Sequence, residues 1–175
     1  MPTLTSPTAE DRRIARWQRV TGGSGKFHRW RRPGPTRALI ACYFSAVGLL
    51  PVTLLASLFW GAAIWFHLTI TVAMMVAWTL LRGAIDIKDS APETVLDEYE
   101  RSVLDTWRRR SQRLFSNLLL GAGFVVLIIG TVFHEHLTVI GLTVVCALTM
   151  FMIGLVAGSL PAVGYALTFH TTEKE

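Results

Sequence analysis

Three stretches of this chain contain no Asp, Glu, Lys or Arg: residues 38–81, 114–133 and 137–169. A hydrocarbon layer about 30 Å thick is crossed by about 20 helical residues rising 1.5 Å each. The first stretch, 44 residues long, holds two crossings, with a fold-back near Trp60 and Gly61. The second, 20 residues, holds one; the third, 33 residues, exceeds one span and is interrupted by Pro161. Helices are therefore predicted near 38–58, 63–81, 114–133 and 137–159, the last ending near Ser159 because proline disrupts a helix, with Pro161 to Phe169 as a helix extension or a segment at the interface. The composition agrees, with 51% apolar residues, 17% charged and a mean hydropathy of +0.44. A soluble domain would place about a quarter of its residues in charged types.

The expected fold class is all-α: a polytopic membrane protein with four transmembrane helices, arranged as two hairpins joined by a cytoplasmic amphipathic helix. The segments are a basic N-terminal region (1–37), hairpin 1 (38–81), the linker helix (82–113), hairpin 2 (114–159) and an interfacial tail (160–175). All 17 Lys and Arg fall in the N-terminal region, the linker and the tail, and none in the two short turns. The positive-inside rule then puts both termini in the cytoplasm. The polar, basic first 37 residues lack the apolar core of a cleavable signal peptide, so the first span is expected to target the chain. Cys42 and Cys146 both fall in spans and give no disulfide framework.

The run EDRRIARWQRV at 10–20 sets Ile14 and Trp17 on one side and Arg12, Arg13, Arg16 and Arg19 around the rest. It reads either as a basic amphipathic helix on an anionic inner leaflet or as a solvated basic tail. Arg29 and Trp30 continue the basic and aromatic mixture. The string TGGSGKF at 21–27 is not a phosphate loop: Val20 stands where the first glycine belongs, Phe27 follows the lysine, and no strand precedes it. Membrane topology accounts for the basic balance, so no nucleic-acid partner is expected.

In the linker, Ser90 with Pro92 and Glu93 reads as a capped helix start. Tyr99, Val103 and Trp107 lie on one helical stripe, acidic residues come first, and Arg108, Arg109, Arg110 and Arg113 come last. This run, LDEYERSVLDTWRRR at 96–110, resembles the acidic-then-basic linker of small four-helix inner-membrane proteins of actinobacteria. The resemblance implies a compartment, and by analogy a respiratory or cell-envelope complex as host.

Proton- or ion-coupled carriers need a charged relay inside the bilayer, where a buried Asp or Lys costs about 2.5–3.5 kcal/mol. These spans have none. Outside, His67 could meet His134, Glu135 and His136 around a metal, although neighbouring turn residues rarely converge on one ion. No base and carboxylate accompany Ser45, Ser57 or Ser159, so no enzyme and no cofactor are expected. Gly154 and Gly158 form a small-residue pair suited to close helix contact. The leading expectation is a non-catalytic accessory, assembly or stabilising subunit of a larger membrane complex. Its candidate contacts are Arg12, Arg16, Trp17, Arg29 and Trp30, then Tyr99, Val103 and Trp107, with Gly154 and Gly158 in the membrane. Its partners would be anionic inner-leaflet lipid and other integral membrane subunits. The alternatives are a small oligomeric channel or lipid-handling transporter, with Thr69, Thr71, Thr79 or Asn117 lining a path, and a metal-dependent enzyme or metal chaperone using the outer histidines.

Overall fold

The computed structural model describes residues 8–21, 30–132 and 139–170, and among the described residues there is helix and turn but no strand. Five α-helices follow one another: α1 (Ala9–Thr21), α2 (Pro33–Phe59), α3 (Ala63–Ala84), α4 (Glu98–Val132) and α5 (Val139–His170). Helices α2 to α5 are long and apolar enough to cross a membrane. Helix α2 begins at Pro33, five residues earlier than the charge-free stretch indicates. Proline needs no hydrogen-bond acceptor in a first turn. The Thr36 hydroxyl there donates to the Trp30 carbonyl at 2.8 Å.

Helices α2 and α3 run antiparallel across the turn at Trp60, since Thr53 meets His67 (3.1 Å) and Tyr43 meets Trp78 (ring centroids 5.3 Å). Helices α4 and α5 are likewise antiparallel and in contact, and α5 also packs on α2 and α3. The Tyr43 hydroxyl donates to the Leu155 carbonyl of α5 at 3.1 Å. The buried apolar residues form two clusters. One lies between α2 and α3, around Tyr43, Val47, Leu50, Met74 and Ala77, with Met152 and Val156 of α5 against it. The other lies at the end of the bundle that carries the charges, here called the base, where Leu81, Ile85, Leu96 and Leu104 enclose Val163, Tyr165 and Ala166.

Two expectations about element ends are corrected. Helix α5 does not end near Ser159: it continues through Pro161 to His170 as a helix extension, and residues 162–166 are buried in the base. Residues 171–175 lie outside the described residues. Proline at 161 cannot donate to the carbonyl of Ala157, four residues earlier. The Ser111 hydroxyl of α4 donates to that carbonyl, at 2.5 Å. The orphaned acceptor is satisfied from the neighbouring helix, and α5 keeps its course.

The second correction concerns the linker. Its long helix starts at Glu98, after two 3-10 turns at Lys88–Ser90 and Glu93–Val95, and Ser90 caps nothing. The Ser90 hydroxyl instead accepts a bond from Arg82 at 2.8 Å. Asp97 and Glu100 supply the reciprocal cap: the Glu98 amide donates to the Asp97 carboxylate (2.8 Å), and the Asp97 amide donates to Glu100 (3.4 Å). The turns let Ala91 and Leu96 dip into the base core, which one uninterrupted helix from Ala91 would not do.

The described glycine with no room for a side chain is Gly164 of α5, where an added Cβ would lie 2.0 Å from the Trp107 ring of α4. At Gly154 and Gly158 a Cβ would meet nothing within 4 Å. The glycine that lets these backbones close is therefore not one of the pair picked from sequence spacing.

Ser111→Ala is expected to lower the stability of the detergent-solubilised protein by about 1–3 kcal/mol, the cost of a buried unsatisfied acceptor. Adding Pro161→Ala should recover most of the loss, because the alanine amide takes over the Ala157 carbonyl. Thermal unfolding of both variants tests this, and equal stability of single and double variants would contradict it. Gly164→Ala should cost about 1–3 kcal/mol by overpacking, and Trp107→Leu in the same chain should relieve it.

Candidate functional site

Polar side chains converge at the base because five segment ends meet there. Helix α3 stops at Ala84 in a Schellman-type turn, with the Ile87 amide on the Arg82 carbonyl (2.9 Å) and the Asp86 amide on that of Gly83 (3.2 Å). Such a turn needs a left-handed residue, usually glycine. Here Asp86 and Ile87 both take φ of 54°. Aspartate tolerates this region, whereas a β-branched isoleucine is strained in it. The turn is held from both sides. Arg31 binds Asp86 at 2.5 Å, and Lys88 is paired with Glu100 on α4.

Glu100 is the centre of the junction. One carboxylate oxygen accepts from Lys88 and from the Tyr165 hydroxyl of α5 (2.6 Å), and the other closes the α4 cap. The Lys88 ammonium also lies 5.9 Å from the centre of the Tyr165 ring. Tyr165 stacks on Phe169 at 4.4 Å, and Phe169 meets Tyr99 edge-on at 5.6 Å. A second group surrounds Asp89: Arg82 pairs with its carboxylate at 3.1 Å, and Arg108 reaches its carbonyl at 3.1 Å. The carboxylates of Asp86, Asp89 and Glu100 thus each have a cationic partner, and each is committed to joining segments. Two open grooves lie elsewhere and are lined by apolar, small, hydroxyl and amide residues.

Comparison with protein-family models, with characterised proteins and with solved structures finds no match. The reading of this junction rests on its geometry alone.

The residues singled out from sequence separate into three groups. Arg12 and Arg16 are exposed on α1, and Tyr99 is 60% exposed on α4. Trp17, Trp30 and Trp107 are engaged within the chain: Trp17 packs on the base core, Trp30 on the α2–α3 cluster, and Trp107 on Gly164 with Arg110 over its ring at 5.0 Å. Val103 is half-buried. The apolar side of α1 is therefore occupied at least in part by protein, and the Trp17 indole nitrogen is buried with no partner among the described residues. Helix α1 starts at a Thr8–Asp11 capping box, and bonds from the Thr8 hydroxyl and amide hold the Asp11 carboxyl below its ordinary range.

Gly154 and Gly158 are exposed and line an open groove with Ser111, Gln112 and Phe115. His67 bonds Thr53; Arg29, His134, Glu135 and His136 lie outside the described residues, among which no metal-binding cluster occurs. Sequence reasoning missed Asp86, Glu100 and Tyr165 as a linked set, and the only signal available was a tyrosine placed after Pro161.

Tyr165→Phe should cost about 1.5–3 kcal/mol, the range for a hydrogen bond to a charged group. In a Glu100→Gln background the same change should cost under about 1 kcal/mol, because the charged acceptor is already gone. Additive losses in this double-mutant cycle would rule out the shared carboxylate.

Proposed function

We propose that this protein is a non-catalytic accessory, assembly or stabilising subunit of a larger complex in a bacterial inner membrane, spanning it as two helical hairpins with both termini cytoplasmic. The base carries the described Lys and Arg of the helix ends, and the positive-inside rule puts such an end in the cytoplasm. A respiratory or cell-envelope complex is the host suggested by the actinobacterial resemblance of residues 96–110.

The observation that carries this reading is the bareness of α4. Its most apolar 18-residue window contains no buried residue, and α5 is the main neighbour of the helix. Away from α5, one face presents Asn117, Gly121, Phe124 and Ile128 at spacings of three and four, all exposed. The threonines in the apolar helices do not resemble this face. Thr69, Thr71 and Thr79 each donate to the carbonyl four residues back at 2.8 Å, which satisfies them without a partner or a water path. Asn117 has no side-chain partner among the described residues, and an exposed amide beside an open glycine is what an incoming helix can bond and approach. Arg12, Arg16 and Tyr99 offer further contacts at the base.

The non-catalytic part is supported by the use of the ionisable groups. The junction carboxylates of Asp86, Glu100 and Asp89 are engaged by Arg31, Lys88 and Arg82, and so are taken up in joining segments.

Purification of the full chain in mild detergent should yield a second membrane protein in fixed stoichiometry, and Asn117→Leu should weaken its retention about three- to thirtyfold, the worth of one interhelical amide bond. A discrete homo-oligomer with no second chain, supporting liposome flux that Asn117→Leu abolishes, would replace this reading with the channel.

A further inference from the structure

The charged end of α4 and its bare apolar flank share one side of the helix. Arg109, Arg113, Ser116, Leu120, Gly123 and Leu127 follow at alternating spacings of four and three, and all are exposed. Ser116, Leu120, Gly123 and Leu127, with Phe115, Leu119 and Phe124, line a groove of about 580 Å³. A second groove of about 520 Å³ shares Phe115 and Ser116 with it and runs between α4 and α5 over Gly154 and Gly158. The two adjoin at Phe115 and Ser116 as one trough, which lies between α4 and α5 where Ser111, Gln112 and Ser116 make it polar and follows α4 alone where it is apolar. From Ser116 to Leu127 the trough extends about 16 Å at 1.5 Å per residue, which matches one leaflet's half of a core about 30 Å thick.

The geometry points to a binding site for a single anionic phospholipid, its phosphate at Arg109 and Arg113 and one acyl chain in the α4–α5 trough. The occupant follows from charge and shape. Arg109 and Arg113 are exposed and have no acidic partner among the described residues, unlike Arg31, Arg82 and Arg108, which do. Guanidinium groups one turn apart can hold a phosphate through paired hydrogen bonds, and Gln112 and Ser116 add neutral donors at ester depth. A second copy of the chain is disfavoured, because parallel pairing along this side would bring the two arginine pairs together. The open glycines have a use here as well. Side chains at 154 and 158 would fill the trough where the chain enters. The site requires that α4 stand in a bilayer with its arginines at headgroup level, and it shares only Phe124 with the face proposed above for another subunit.

Native mass spectrometry of the full chain, in micelles holding equal phosphatidylglycerol and phosphatidylcholine, tests the site. One retained phosphatidylglycerol per chain is expected. Arg109→Gln with Arg113→Gln should weaken its retention about thirtyfold, as for two surface arginines facing anionic lipid. Gly158→Leu, whose added Cβ meets nothing within 4 Å, should weaken retention with both arginines intact, whereas Arg32→Gln, at an exposed position off α4, should leave it unchanged. Equal retention of the two lipids, or no loss in the Arg109 and Arg113 double variant, overturns the site. So does displacement by excess inorganic phosphate, which would make it a plain anion site. Loss of a protein partner from Gly158→Leu with lipid retained would give the trough to a helix and overturn the lipid.

Discussion

The hydroxyl of Ser111 carries α5 past its own proline, and the organisation of the base depends on that bond. With the Ala157 carbonyl satisfied from α4, α5 runs three further turns and brings Gly164 under Trp107 and Tyr165 to Glu100. If α5 stopped at Ser159, the buried residues 162–166 would leave the core, and Leu104 and Leu96 would lose the surface they close on. The helix continues through its proline with the orphaned carbonyl satisfied by one donor on the neighbouring helix, and that bond sets Ser111 opposite Ala157 in the register of the pair.

The polar junction built on this register is best understood as a clamp. Its ion pairs are partly exposed, and pairs of that kind contribute about 1 kcal/mol or less each. Their effect lies in geometry. Glu100 joins the start of α4, the turn after α3 and the end of α5 through one carboxylate, and Arg31 ties the approach to α2 to the same turn. The left-handed pair Asp86–Ile87, which costs about 1–3 kcal/mol for each strained residue, is stable only inside such a frame. Packing of Leu81, Ile85 and Leu104 beneath it supplies the larger share of the stabilisation, as burial of aliphatic side chains does in general.

The four long helices were legible in the sequence, because absence of charge over 20 or more residues has few other readings. The fold-back at Trp60 was legible for the same reason. What escaped was set by contacts between segments distant in sequence. Pro161 looked like a stop because its rescue comes from Ser111, 50 residues earlier. Ser90 looked like a cap because Ser-Ala-Pro-Glu is a good local start, yet Arg82 captures its hydroxyl and the competing Asp97–Glu100 box wins. Gly154 and Gly158 carried the spacing of a packing motif while Gly164 did the packing, a distinction that depends on where Trp107 sits. Local rules identified the helices, and the junction required knowing which ends meet.

Helix α4 has 35 residues without a break, about 52 Å at 1.5 Å per residue, against a hydrocarbon layer of about 30 Å. More than a third of this rod would therefore lie outside the hydrocarbon of a bilayer it crossed upright, with Glu100 on the outer part and Asn117 on the immersed part. A continuous helix has no joint at which twist can dissipate. Turning the immersed half about its axis swings the Glu100 carboxylate through the same arc, away from or towards Tyr165 and Lys88. Whatever grips the rod in lipid has mechanical purchase on the clamp outside it.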